Sequence, residues 1–164
     1  MNKPIRRSEA GFGLELSPPE RELLRSLGPQ MRDLLSSDDA ILGRIFPVAY
    51  PDDEDRETEY RLLARDDLRS SHISAIETLE RTADAEQLDE ASLLGWMRAI
   101  NDVRLVLGTR LDVSEDGGGR PHEPDDPRVS AFAVYDYLTW LQGEIVGVLD
   151  ERSDPPSSPP TGSS

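Results

Sequence analysis

The 164-residue chain contains no cysteine. It therefore cannot form a disulfide within this sequence, and it offers no thiolate ligand to zinc or to an iron–sulfur cluster. No run approaches the roughly 18 consecutive apolar residues of a membrane-spanning helix, and the basic N-terminus lacks the apolar segment of a secretory signal. The cytoplasm is the expected location. Aromatic residues make up only 5% of the chain, so each ring is a candidate anchor.

Basic residues are also scarce, since 18 Lys and Arg face 33 Asp and Glu and give a formal net charge of −15. Non-specific DNA binding depends mainly on neutralisation of phosphates by basic side chains. Direct nucleic-acid binding is therefore not expected unless the bases gather on one face. The acid excess favours a basic protein as the partner.

The clearest helical pattern runs from Asp89 to Leu111. Its apolar residues recur every three or four positions, which places them on one helical stripe. The stripe comprises Leu93, Trp96, Ile100, Val103 and Leu107, and Leu94, Met97, Leu105 and Val106 are expected to widen it. A helix this broadly apolar should lie at the centre of the fold, with Gly108 as its predicted end.

Several further elements are predicted around this helix. A hairpin is expected between Pro4 and Leu16, with its turn at Ser8–Gly11. Ser17 and Glu20 form a capping box for a helix that should kink at Pro29. The remaining predicted helices cover Asp38–Phe46, Asp52–Thr82 as either one helix or two, and Asp126–Glu151. The predicted fold is all-α, a bundle of about five helices with a small N-terminal β-hairpin.

The predicted domain organisation is simple. Residues 1–150 form one helical domain, which contains an acidic flexible loop at 112–127 with a triple glycine and several prolines. Residues 151–164 are rich in proline and serine and are expected to be disordered.

No set of residues in the sequence indicates catalysis. The two histidines, His72 and His122, lack a partner at the spacing of a metal site or a catalytic triad. The acids Asp52–Asp55 lack the pattern of a calcium loop and suit a helix start instead. The glycines 117–119 lack the Lys-Ser/Thr of a phosphate-binding loop. We therefore expect no enzyme activity, no metal and no cofactor.

Two polar and aromatic clusters are the candidate sites. Asn101, Asp102, Arg104 and Arg110 form either a hydrogen-bond network between helices or a partner-binding surface. Tyr135, Tyr137 and Trp140 are expected in the core, and any exposed member would be an interface anchor. The apolar faces of the central and last predicted helices together exceed what one small core buries, which leaves a homodimer open.

Four segments together carry a resemblance to a known family. They are FPVAYPDD at 46–53, EYRL at 59–62 with RDDL at 65–68, Trp96 followed by NDVRLVLGTRL at 101–111, and YDYLTWLQ at 135–142. This pattern is similar to an actinobacterial domain-of-unknown-function family, the AosR-like oxidative-stress transcription regulators. The resemblance extends from Ile5 to about Leu149.

The resemblance implies a cytoplasmic, non-enzymatic regulator that acts with a sigma factor or RNA polymerase. Members of the family switch by an intramolecular disulfide, which this cysteine-free chain cannot form. Either contact with the transcription machinery is then constitutive, or another signal controls it, or the function differs within the family. The alternative is an adaptor or scaffold protein linked to regulated proteolysis, because family members are often encoded beside a protease adaptor.

Overall fold

The computed structural model describes residues 3–35, 52–111 and 121–151. These ranges contain the helices α1 (Pro18–Leu35), α2 (Glu54–Thr82), α3 (Glu90–Arg110) and α4 (Val129–Asp150), and the strands β1 (Ile5–Ser8), β2 (Gly11–Leu14) and β3 (Gln87–Leu88). The predicted all-α class with an N-terminal hairpin is confirmed. The helix predicted at 38–46, most of the acidic loop and nearly all of the C-terminal tail lie outside the described residues.

The hairpin is stabilised by a third strand that the sequence analysis missed. β1 and β2 pair antiparallel with Ile5 opposite Leu14, and β3 adds to β2 with Leu88 opposite Phe12. Gly11 has φ 133°, and a Cβ there would lie 2.3 Å from the carbonyl oxygen of Leu88. Only glycine therefore fits where the hairpin turn meets the strand that leads into α3.

The starts of α1 and α2 lie where the sequence predicts them. The Ser17 backbone N–H donates to Glu20 Oε2 at 2.6 Å, and the Ser17 hydroxyl oxygen accepts from the Glu20 N–H at 3.4 Å. The carboxylate of Asp53 accepts from the Arg56 N–H at 3.1 Å, so the acidic run does begin a helix. α1 continues through Pro29. α2 is one helix of 29 residues, so the region that could have held one helix or two holds one.

α3 is the central helix, because it packs against α2 on one side and α4 on another. Leu93, Trp96 and Ile100 are fully buried. The expectation that Leu94 and Leu105 widen the buried stripe was wrong, since these side chains are 44% and 36% exposed. At about 100° per residue they point away from the buried positions, so the apolar surface of α3 is split between core and solvent.

Gly108 does not end α3, which continues to Arg110 and is closed by the Leu111 N–H donating to Leu107 O at 2.8 Å. A Cβ at Gly108 would lie 3.3 Å from Cε2 of Tyr135 on α4. The glycine therefore permits close approach of α4. No helix in the described ranges is long and apolar enough to span a membrane.

Asp89 supplies a pH-dependent contribution to the stability of α3. The Ser92 hydroxyl and backbone N–H donate to its carboxylate and lower the pKa of Asp89 below its ordinary value of 3.8. A lowered pKa stabilises the fold above pH 3.8 and stops doing so as the pH falls through the folded-state value. Asp89→Ala should therefore lower the melting temperature at neutral pH, by a difference that shrinks below pH 3.8.

Thermal unfolding followed by circular dichroism across this pH range tests the expectation. Asp89→Asn is the matched control, because asparagine also caps helices but carries no charge to titrate. A constant difference between wild type and Asp89→Ala at every pH would show that the carboxylate charge does not contribute.

Candidate functional site

Asp102 lies at the centre of the polar cluster. It is the buried polar residue of the described ranges, with 2% of its surface exposed. Its Oδ2 lies 2.6 Å from Nδ1 of His72 on α2, whose side chain is 13% exposed. A buried carboxylate is costly unless it is paired, so this contact fixes α3 against α2 at one position.

On its other side the cluster joins α3 to α4. Arg104 donates from Nε to Thr139 Oγ1 at 3.0 Å and from Nη1 to Gln142 Oε1, and its guanidinium lies 5.5 Å from the ring centroid of Tyr135. The Gln142 amide also donates to Asn101 Oδ1 at 3.4 Å. Asn101 and Arg104 therefore engage α4, whereas Asp102 engages α2.

The structure does not bring Arg110 into this cluster. Arg110 is exposed in the last turn of α3 and lies at the rim of a separate cleft of about 210 Å³ between α1, α3 and α4. Leu27, Met31 and Val106 form part of its apolar wall. The four predicted polar residues thus divide into a group of three and one distant arginine.

The three predicted aromatic residues differ in their exposure. Tyr135 packs against Arg104, and Tyr137 is half-buried. Burial, together with the nearby Glu20 carboxylate, raises the pKa of Tyr137 well above its ordinary value of 10.0, so its hydroxyl stays neutral. Trp140 is 39% exposed, with its ring centroid 5.8 Å from that of Tyr137. Trp140 is therefore the candidate interface anchor of the three.

The solvent side of α3 forms a surface that we call the α3 face, made of Leu94, Met97, Arg98, Asn101 and Leu105. Two adjoining clefts border it and share Met97 and Arg98. One, of about 730 Å³, lies between α2 and α3. The other, of about 390 Å³, is lined by Gln142 and by the paired side chains of His72 and Asp102. The surface thus combines exposed apolar side chains with polar groups.

Arg98 lines both clefts. Its side chain is exposed and donates from Nη1 to the Ser71 hydroxyl of α2. A guanidinium carries five N–H donors, so a partner can be bound by those that remain. Within the described ranges, no group of three or more His, Cys, Asp or Glu side chains is placed to hold a metal ion. The chemistry that this surface offers is hydrogen bonding and apolar contact, as in protein recognition.

Sequence reasoning missed the pairing of His72 with Asp102, which are 30 residues apart in the chain. One signal could have indicated it. Asp102 lies three residues after Ala99 and four before Val106, both of which are buried. An acid at that spacing from two apolar residues is a candidate for burial, and a buried acid needs a partner on a neighbouring helix.

Comparison with known proteins gives a consistent match. The model of a family described as a domain of unknown function, DUF2017, matches residues 2–149. The chain is 33% identical over 152 residues to the AosR oxidative stress regulator of Mycobacterium leprae, with 82% of this chain and 70% of the relative covered. It is 31% identical over 150 residues to the oxidative stress regulator AosR of Mycobacterium tuberculosis, with 81% and 68% covered. No solved structure matches the chain.

Proposed function

Because the chain belongs to the DUF2017 family, we propose that it is a non-enzymatic cytoplasmic regulator of the oxidative stress response that contacts a sigma factor or RNA polymerase. The names of its relatives carry the proposal, since they are oxidative stress regulators that align with more than four-fifths of this chain. The charge of −15 is compatible with a role that works through protein contacts rather than through DNA phosphates.

We assign the docking role to the α3 face. Leu94 and Leu105 are exposed on either side of Arg98, and the two clefts that adjoin at Arg98 provide depth. Interfaces typically combine an apolar centre with arginine and with polar groups that are already hydrogen-bonded. The dyad of His72 and Asp102 holds α2 in place beside α3, so this surface is preorganised for a partner.

We infer that control does not depend on a disulfide within these 164 residues, since they contain no cysteine. The regulator therefore either contacts its partner constitutively or responds to oxidation through a thiol of that partner. The proposal places the redox chemistry outside this chain.

The double substitution Leu94→Gln with Leu105→Gln should reduce capture of a sigma factor or polymerase subunit by at least ~10-fold, since two apolar contacts are lost. Helicity should be unchanged, because both side chains face solvent. Tagged chains purified from the native host, with subunits counted by mass spectrometry, provide the measurement.

The matched control is Val129→Gln, which changes a side chain of similar exposure, 37%, on α4. It should leave capture unchanged. Equal capture by all three chains would place the contact on another surface, and loss of helicity in the double variant would show that the two leucines are structural.

A further inference from the structure

The cleft beside Arg110 is a gap between helices of the core. α1 packs chiefly on α2, whereas α4 packs on α3, so α1 faces α3 and α4 across a space of about 210 Å³. Voids larger than a water molecule are few in a well-packed protein interior. An apolar group that filled this cleft would lose contact with water and gain contact with three helices, which would stabilise the fold.

Apolar side chains from three helices form the walls of this cleft. On each helix they are three or four positions apart, so they share one side of that helix. They include Leu27 and Met31 on α1, Val103 and Leu107 on α3, and Ala131 and Val134 on α4. Leu27, Met31 and Val103 are also buried core residues, so the inner wall of the cleft is continuous with the hydrophobic core.

Arg110 gives the cleft its charge. It follows Leu107 by three positions on α3, and its side chain is exposed at the rim. The other polar residues that line the cleft within the described chain, Ser26 and Gln30, are neutral, and the Ser26 hydroxyl already donates to Leu23 O at 2.7 Å. No Asp or Glu of the described ranges lines it. In a chain of net charge −15, the cleft therefore places one positive charge beside apolar walls.

We propose that this cleft binds a small monocarboxylate with an apolar body, whose chain lies between α1, α3 and α4 and whose carboxylate pairs with Arg110. A guanidinium binds a carboxylate through two parallel N–H donors, a geometry that a lone apolar chain cannot use. About 210 Å³ holds roughly seven carbons, at the ~30 Å³ that a water-sized group occupies. The inference goes beyond the proposed function, because it needs no transcription partner and uses a surface other than the α3 face.

Octanoate is the probe, and octan-1-ol and octylammonium are matched ligands that keep the apolar chain and change only the head group. Calorimetric titration of the full chain should give octanoate a dissociation constant at least ~10-fold below that of either matched ligand. Octanoate should also raise the melting temperature, since it binds the folded state. Arg110→Gln should weaken octanoate to the affinity of octan-1-ol. Arg6→Gln, which removes an exposed positive charge from β1, is the control and should leave the affinity unchanged.

Ala131→Phe tests where the apolar chain lies. Ala131 is half-buried and lines the cleft, so a phenylalanine ring there would occupy the space that the ligand needs. Octanoate affinity should fall at least ~10-fold, whereas Ala133→Phe, at an exposed position of α4, should bind like the wild type. Equal affinity for the three ligands would overturn the proposal, as would no binding of octanoate at millimolar concentration. So would octanoate binding that Arg110→Gln leaves intact, a result that does not depend on how the added ring packs.

Discussion

Trp96→Ala is expected to lower the free energy of unfolding by ~3–5 kcal/mol, the usual cost of removing a large aromatic side chain from a core. Trp96 is 0% exposed and belongs to the hydrophobic core in which α3 packs against α2. Its Nε1 donates to Thr82 Oγ1 at 2.7 Å, at the C-terminal end of α2. The substitution therefore removes apolar contacts and a hydrogen bond between helices, and the cavity that remains adds to the cost.

Denaturant unfolding with circular dichroism measures this change. Trp96→Phe is the matched control, because it retains an aromatic ring and removes the indole N–H. It should cost less than the alanine variant, and it leaves the Thr82 hydroxyl without its donor, a loss of about 1 kcal/mol. An alanine variant within 1 kcal/mol of wild type, by contrast, would show that α3 is not the central helix of the fold.

Asp102→Ala is expected to lower the free energy of unfolding by about 2–3 kcal/mol, because it leaves the largely buried imidazole of His72 without its carboxylate. The 2.6 Å contact joins α2 and α3 beside the α3 face. We therefore expect a second effect, weaker capture of the partner, since α2 forms one wall of each cleft.

A double-mutant cycle isolates the pair from the rest of the core. Asp102→Asn and His72→Gln should each destabilise the protein, and the double variant should be less destabilised than their sum by at least ~1 kcal/mol. Additive losses would mean that the two side chains do not interact in the folded protein. Arg104→Gln, at the α4 side of the same cluster, serves as the comparison because its contacts do not include His72.

Local chemistry explains what the sequence predicted correctly. The capping box at Ser17 and the helix start in the acidic run at Asp53 involve residues within one helical turn, so they depend mainly on local sequence. The buried stripe of α3 followed from the spacing of Leu93, Trp96 and Ile100.

Tertiary contacts explain what the sequence could not predict. β3 is two residues long and exists because β2 lies beside it. The exposure of Leu94 and Leu105 depends on which sides of α3 its neighbours cover, which the apolar spacing of α3 does not specify. Gly108 looked like a helix end, yet it is the point where Tyr135 of α4 approaches α3.

The central claim is that this cysteine-free chain regulates transcription through protein contacts. The most direct test is to purify the tagged chain from its native host, with and without peroxide, and to identify the bound proteins by mass spectrometry. We expect sigma factor or polymerase subunits, either in both samples or, where the partner carries the redox thiol, enriched after peroxide. Protease components without any polymerase or sigma subunit would contradict the claim and identify the chain as an adaptor in proteolysis.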